Sequence, residues 1–217
     1  MGRSVARGRG QAVQAMTSKF AVSTLPVDEI IRALVQQGAL SLPMLSDAFR
    51  GELLAEARSA VFRPARTSIG DGDRVVFQRM EVCDGFSPGG SFIALRDEFQ
   101  SLWDASFVEG PDYPFESPVR FNDLMLQRYE PGDLGITPHR DRRDYRNVIC
   151  LFVLAGRGRF GVCADRSGNC AREIHNAPGE LILIRAPGFL GSGARPFHFV
   201  GNITEARYVF GLRHERV

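Results

Sequence analysis

Two rhythms of apolar positions divide the chain. Up to about residue 120 the hydrophobic residues recur with helical spacing. From Pro26 to Leu40, PVDEIIRALVQQGAL sets Ile30, Ile31, Leu34 and Val35 on one face, with Asp28 and Glu29 suited to a first turn and Gly38 to an exit. Pro43 to Phe62 reads as a second helix and Ser91 to Phe107, SFIALRDEFQSLWDASF, as a third. Between them Arg74 to Val82, RVVFQRMEV, follows the turn GDGD as a strand, and FSPGGS is a loop. From Phe121 the period shortens. FNDLMLQRY, NVICLFVLA, RFGVCA, ELILIRA, RPFHFV and ARYVFGLRHE are six β-rich runs separated by Gly, Pro and Asp turns, the density expected of a sandwich or barrel. The expected fold class is α+β, a jelly-roll core with N-terminal helices packed on its outer face. Residues 1–25 read as a mobile basic tail, with no acid before Asp28. Residues 26–217 read as one domain, in which 26–120 are helical support and a candidate lid and 121–217 are the jelly-roll core.

Composition narrows the class without naming a function. At 44% hydrophobic and 24% charged over 217 residues, the chain reads as soluble and globular, with no apolar run of membrane-spanning length. The formal net charge of +2 is too small to demand a nucleic-acid partner. Lys19 is the sole lysine, so the positive charge is almost all arginine. Cys83, Cys150, Cys163 and Cys170 come without a secretory leader, so a reducing cytoplasm is expected rather than a disulfide framework.

The densest chemistry lies in YEPGDLGITPHRDRRDYRN, Tyr129 to Asn147. On a strand, His139 and Asp141 project from one face and offer two cis ligands to a metal. A third ligand comes from His175, before a turn, or from His198, in a late strand. Early and late strands of a jelly roll meet across its mouth, which favours His198. Two histidines and a carboxylate form a facial triad that leaves three metal positions open, as in non-haem Fe(II) oxygenases. Arg207 and Arg213 follow, six residues apart and so on one face of a strand, separated by roughly 20 Å. Two such arms can grip the ends of a dicarboxylate lying between them. Cys163, Cys170 and His175 match no usual zinc spacing.

The order LQRYEPG, PHRD, FHF and RYVFGLR resembles the AlkB-like branch of the Fe(II)/2-oxoglutarate-dependent dioxygenases, over about Phe121 to Val217. The resemblance implies a double-stranded β-helix with iron held by His139, Asp141 and His198. It implies that Arg207 pairs with the distal carboxylate of 2-oxoglutarate, that Tyr129 hydrogen-bonds the same co-substrate and that Arg213 lies near its metal-chelating end. Gln127 stands where the family often has Asn, two residues before the tyrosine. The implied reaction consumes O2, converts 2-oxoglutarate to succinate and CO2, and hydroxylates a C–H bond of the substrate. Two departures bear on that substrate. Arg143 stands where nucleobase demethylases carry an Asp, and residues 62–120 match no nucleotide-recognition lid. The favoured expectation is a small-molecule or amino-acid-type substrate. The alternative is oxidative demethylation of alkylated DNA or RNA bases, and a further one is a cupin-like metal-binding protein that is non-catalytic or does without 2-oxoglutarate and has no need of Arg207. Arg140, Arg142, Arg143 and Arg146 crowd the expected site mouth, with Arg140 and Arg143 as substrate contacts. They suit an anionic substrate; nucleic acid is admitted but not favoured.

Overall fold

A computed structural model describes residues 18–216. The expected basic tail lies outside the described residues as far as position 17. Within residues 18–25 the Phe20 ring meets Phe49 and Phe99 edge-on and Leu25 is buried, while Ser18, Ala21, Ser23 and Thr24 are exposed.

Helix α1 (Val27–Gln37) buries Ile30 and Leu34, one turn apart, while Val35 is 47% exposed, off the face the sequence pattern assigned to it. The helix ends because Gly38 adopts φ +76° and returns its N–H to the Leu34 carbonyl. Past this exit, where the sequence also placed it, the chain forms β1 (Ala39–Pro43). Helix α2 (Asp47–Ser59) starts at Ser46, whose hydroxyl accepts from the Phe49 N–H, and buries Phe49, Leu53 and Ala57 at four-residue intervals. It is shorter at both ends than its sequence pattern. Helix α3 (Ser91–Ser106) buries Phe92, Leu95, Phe99 and Trp103 and matches its expected span closely.

The other strands are β2 (Arg63–Pro64), β3 (Ser68–Ile69), β4 (Val76–Arg79), β5 (Glu81–Cys83), β6 (Asp123–Tyr129), β7 (Gly135–His139), β8 (Tyr145–Ala155), β9 (Arg159–Cys163), β10 (Arg172–Ile174), β11 (Glu180–Arg185), β12 (Phe197–Gly201) and β13 (Arg207–Glu215). They build two antiparallel sheets, a major one in the order β1-β11-β8-β13-β6-β5-β2 and a minor one in the order β10-β9-β12-β7-β4-β3. The run expected as one strand over Arg74 to Val82 breaks at Met80. Its first half pairs with β7 in the minor sheet and its second with β6 in the major sheet.

Strand β8 shows why one continuous apolar run was needed. Val148, Cys150, Phe152 and Leu154 face outward onto the helices, with Phe210, Leu181 and Leu183 beside them. Ile149, Leu151 and Val153 face inward, toward Phe160, Val162 and Val200 of the minor sheet. A strand covered on both faces cannot alternate with polar residues. The inner space between the two sheets is where the chemistry-bearing side chains collect.

Candidate metal centre

Strand β12 lies between β9 and β7, and the register sets His198 directly opposite His139. Their ring centroids are 4.2 Å apart. Each ring turns Nδ1 toward the carbonyl oxygen two residues earlier, that of Thr137 at 2.9 Å for His139 and that of Pro196 at 3.5 Å for His198. A carbonyl only accepts, so Nδ1 carries the proton and Nε2 is left with a free lone pair. Asp141 sits just past the end of β7 rather than on the strand, and the turn swings its carboxylate between the two imidazoles. One oxygen lies 3.7 Å from His139 Nε2 and the other 3.3 Å from His198 Nε2.

The three donor atoms fall within 4.8 Å of one another, and among the described residues no other such group of His, Cys, Asp and Glu forms. An ion with bonds of about 2.1 Å holds cis donors about 3 Å apart, so small side-chain adjustments close this set around a metal. Protonation also suits a metal. Burial, with the neighbouring His198, lowers His139 to about 4, although Asp141 pulls the other way. Burial alone would raise Asp141, but His198, His139 and Arg213 together hold its carboxyl well below the usual range. At neutral pH the cluster offers a neutral His139 and an ionised carboxylate, the states a metal needs of them. His175 stands apart, exposed and paired with Glu180, and the four cysteines are free thiols.

Across the inner space, β13 and β6 pair so that Arg207 faces Tyr129, Val209 faces Gln127, Gly211 faces Met125 and Arg213 faces Asp123. Arg207 is 1% exposed, and its Nε and Nη1 have no hydrogen-bond partner. Burial lowers its pKa to about 10, so it remains charged at neutral pH. A buried guanidinium without an acceptor is costly, and an anion entering the space would offset that cost. Burial raises the Tyr129 hydroxyl, against the opposing charges of Arg207 and Arg213 and with that of Asp141. Arg213 is committed in part: its Nη1 donates to Asp123 at 3.1 Å, while Nε has no partner. Its guanidinium folds back over Gly211, where an added Cβ would stand 3.0 Å away. The Gln127 amide is turned to the Met80 sulfur at 3.6 Å.

At the mouth, the four arginines expected from the sequence separate into two kinds. Arg142 pairs with Asp144 and Glu215, and Arg146 with Glu116. Arg140 and Arg143 are exposed with no acidic partner among the described residues, and Arg140 lies over the Phe197 ring at 4.1 Å. Two arginines not foreseen join them. Arg195 donates to the backbone carbonyl of Asp141, and Arg166 approaches the same Phe197 ring at 5.7 Å. Arg195 stands three residues before His198, a proximity the sequence carried; Arg166 sits in an ordinary turn and gave no signal.

No known protein-family model matches the chain, and no curated protein matches it. Solved structures do. A prolyl hydroxylase from Trichoplax adhaerens, in complex with a hypoxia inducible factor oxygen degradation domain peptide, is 17% identical with a TM-score of 0.61, over 87% of this chain and 88% of that one. A Pseudomonas putida prolyl-4-hydroxylase is 16% identical with a TM-score of 0.57, over 88% of this chain and 99% of that one. A 2OG-Fe(II) oxygenase family oxidoreductase from Burkholderia pseudomallei is 14% identical with a TM-score of 0.60, over 93% and 97%. At these identities the likeness is one of fold. Two of the three are prolyl hydroxylases, so the AlkB-like branch expected from the motif order gains no specific support. The chain has the double-stranded β-helix fold of the 2-oxoglutarate–Fe(II) oxygenases.

Proposed function

We propose that the chain is an Fe(II)/2-oxoglutarate-dependent dioxygenase that hydroxylates a C–H bond of a small-molecule or amino-acid-type substrate. The observation that carries this reading is the buried, unpartnered Arg207 guanidinium on the inner face that looks toward a His–Asp–His cluster. A metal-binding jelly roll that does without 2-oxoglutarate has no use for that uncompensated charge.

In this reading His139 and His198 hold iron through Nε2, and Asp141 through its carboxylate, which offsets part of the metal charge. Arg207 takes the far carboxylate of 2-oxoglutarate, and the Tyr129 hydroxyl donates to the same group. Arg213, steadied by Asp123, sets the positive field near the keto-acid end. Gln127 lines the wall between them. Iron and 2-oxoglutarate, when bound, supply O2-dependent C–H oxidation coupled to release of succinate and CO2. The chain's own part is geometry and dryness: Val209, Ile149, Leu151 and Val153 wall the space and keep water from it.

Arg143, in the place of the demethylase Asp, and the prolyl-hydroxylase character of two of the structural neighbours weigh toward an amino-acid-type or small substrate over an alkylated base. Succinate formation from 2-oxoglutarate under air, with and without Fe(II), tests the reading. Iron-dependent turnover is expected in wild type and absent in His139→Ala. Failure of metal-loaded wild type to bind 2-oxoglutarate sinks it and restores the cupin-like alternative.

A further inference from the structure

Asn147 is wholly buried and stands just before the apolar run of β8 with φ +65°, a left-handed conformation that asparagine tolerates. Both its backbone and its side chain hold other segments. Its N–H donates to the Pro187 carbonyl at 2.7 Å, and its carbonyl accepts from the Ala186 N–H at 3.1 Å, in the loop between β11 and β12. Its amide reaches the connection from α3 to β6. There Oδ1 accepts from the Glu116 N–H at 3.3 Å and Nδ2 donates to the Ser117 carbonyl at 3.1 Å. The two segments also bond each other, Glu116 N–H to the Gly188 carbonyl at 3.0 Å, and a Cβ added at Gly188 would stand 2.5 Å from Asn147 Oδ1. This joint borders the metal cluster, because Ala186 and Pro187 line a cleft together with Asp141, Ile149, Pro196 and His198.

Asn147 Nδ2 also lies 3.2 Å from His214 Nδ1. The backbone partners fix which end of the amide is nitrogen: turned over, it would set carbonyl against carbonyl and N–H against N–H. An amide nitrogen only donates, so His214 Nδ1 accepts, and the neutral ring carries its proton on Nε2. Protonation at Nδ1 sets two donors face to face and removes the bond. The charges around His214 act in the same direction. Arg146 of β8 stands opposite it in register, and Arg120 approaches from the connection into β6. The acids close by are engaged: Glu116 with Arg146, Asp104 with Arg120, and on β13 itself Glu215 with Arg142, while Asp123 of β6 holds Arg213. Asn122, just ahead of β6, is uncharged and bonds the Glu215 backbone. Burial first, then the Arg146 and Arg120 charges, push the His214 imidazole below its ordinary 6.5. The fold therefore favours the neutral ring, and what that ring contributes is complete above about 6.5 and lost as pH falls through the lower folded value.

We propose that neutral His214 is a positioning residue of the metal centre: acting through the Asn147 amide, it holds the Glu116–Ser117 strap and the Ala186–Gly188 turn in place beside Asp141 and His198, and its protonation releases them. The hydrogen-bonded joint stands by itself; its consequence for iron rests on the oxygenase reading. A buried amide that loses a partner carries the full cost of the unmade bond, so the release is driven by more than the loss of one contact.

Two variants of the full metal-free chain separate the acceptor from the charge. His214→Asn keeps an uncharged acceptor at every pH, and His214→Leu keeps none. Trp103, the sole tryptophan, reports on the strap, since its ring centroid lies 5.4 Å from that of Phe115. Between about pH 8 and about pH 5 wild type is expected to show a step in Trp103 emission with far-UV circular dichroism unchanged, and nitrogen NMR to place the neutral imidazole proton on Nε2. His214→Asn is expected to lose the step, and His214→Leu to show the low-pH emission already at neutral pH. Mn(II) binding at neutral pH, read by electron paramagnetic resonance, is expected to weaken by about tenfold in His214→Leu and to stay near wild type in His214→Asn. A neutral proton on Nδ1, a step that survives in His214→Asn, or a His214→Leu protein that matches wild type each overturns the proposal. So does Mn(II) affinity unchanged in His214→Leu while its Trp103 emission shifts, because the strap then holds nothing at the site. If His214→Leu fails to fold, the NMR tautomer and the His214→Asn titration decide. Absence of Mn(II) binding to wild type sinks the oxygenase reading, and the tautomer and the Trp103 step then judge the His214 joint by themselves.

Discussion

Arg207 is the residue at which stability and function pull apart. With no acceptor at Nε or Nη1, its buried charge is costly in the fold and would strengthen the hold on a carboxylate. Arg207→Met is therefore expected to raise unfolding free energy in denaturant titrations without ligand by about 1 kcal/mol or more, and to weaken 2-oxoglutarate binding by about a hundredfold. Equal loss of both would mark Arg207 as a structural residue. His139 carries a pH prediction. Its folded pKa, about 4, lies below the ordinary 6.5, so the unfolded chain takes up the proton first as pH falls. The stability tied to its neutral form is complete above about 6.5 and drains away toward about 4. Denaturation of the metal-free protein across that window should show the decline, and His139→Gln should flatten it. Both residues were named from the chain, Arg207 by its spacing from Arg213 and His139 by its neighbour Asp141. That Arg207 has no partner was not legible, because partners come from other strands.

At the scale of elements, register does what local pattern cannot. Pairing β12 with β7 sets His198 against His139, and pairing β13 with β6 sets Arg207 against Tyr129 and Arg213 against Asp123. A slip of one residue would turn each of these side chains to the other face. Gly211 is the narrow point of β13. A methyl group there would stand 3.0 Å from the Arg213 guanidinium, which must give by a few tenths of an ångström against its pairing with Asp123. Gly211→Ala is expected to cost about 1–3 kcal/mol of stability by overpacking and to weaken 2-oxoglutarate binding, read by chemical denaturation and calorimetry. The long strands and α3 were legible because each carries a full period of pattern. Strands β1, β2, β3 and β10 were not: none exceeds five residues, and each is defined by its partner rather than by its own alternation. The ALSLP of β1 continues the apolar helical face of α1, and Gly38 alone marks the change.

The whole molecule separates support from chemistry. One apolar cluster joins the three helices to the outer face of the major sheet, and a second fills the space between the sheets and surrounds the site. Trp103 belongs to the first, stacked on Phe107 with ring centroids 4.4 Å apart and packed against Phe99, Phe115 and Phe121. Trp103→Ala is expected to cost about 3–5 kcal/mol of unfolding free energy while the folded protein keeps its metal affinity, since the cluster lies beyond the intervening sheet. Metal titration of the variant well below its melting point checks this; lost affinity would show that the helices hold the site in place as well as the sheet. None of the described helices is long and apolar enough to cross a membrane. By itself the sequence determined the class of fold and singled out His139, Asp141 and His198 as a set, because periodicity and residue chemistry are local properties. Only the tertiary structure decided that Asp141 reaches the histidines from beyond a strand end, that Arg213 is held by Asp123 while Arg207 stands unpartnered, and that Arg142 and Arg146 are paired with acids while Arg195 holds the Asp141 backbone. Those outcomes depend on which strands lie side by side and on which acids are already engaged, and contacts between residues tens of positions apart leave no periodic trace in the chain.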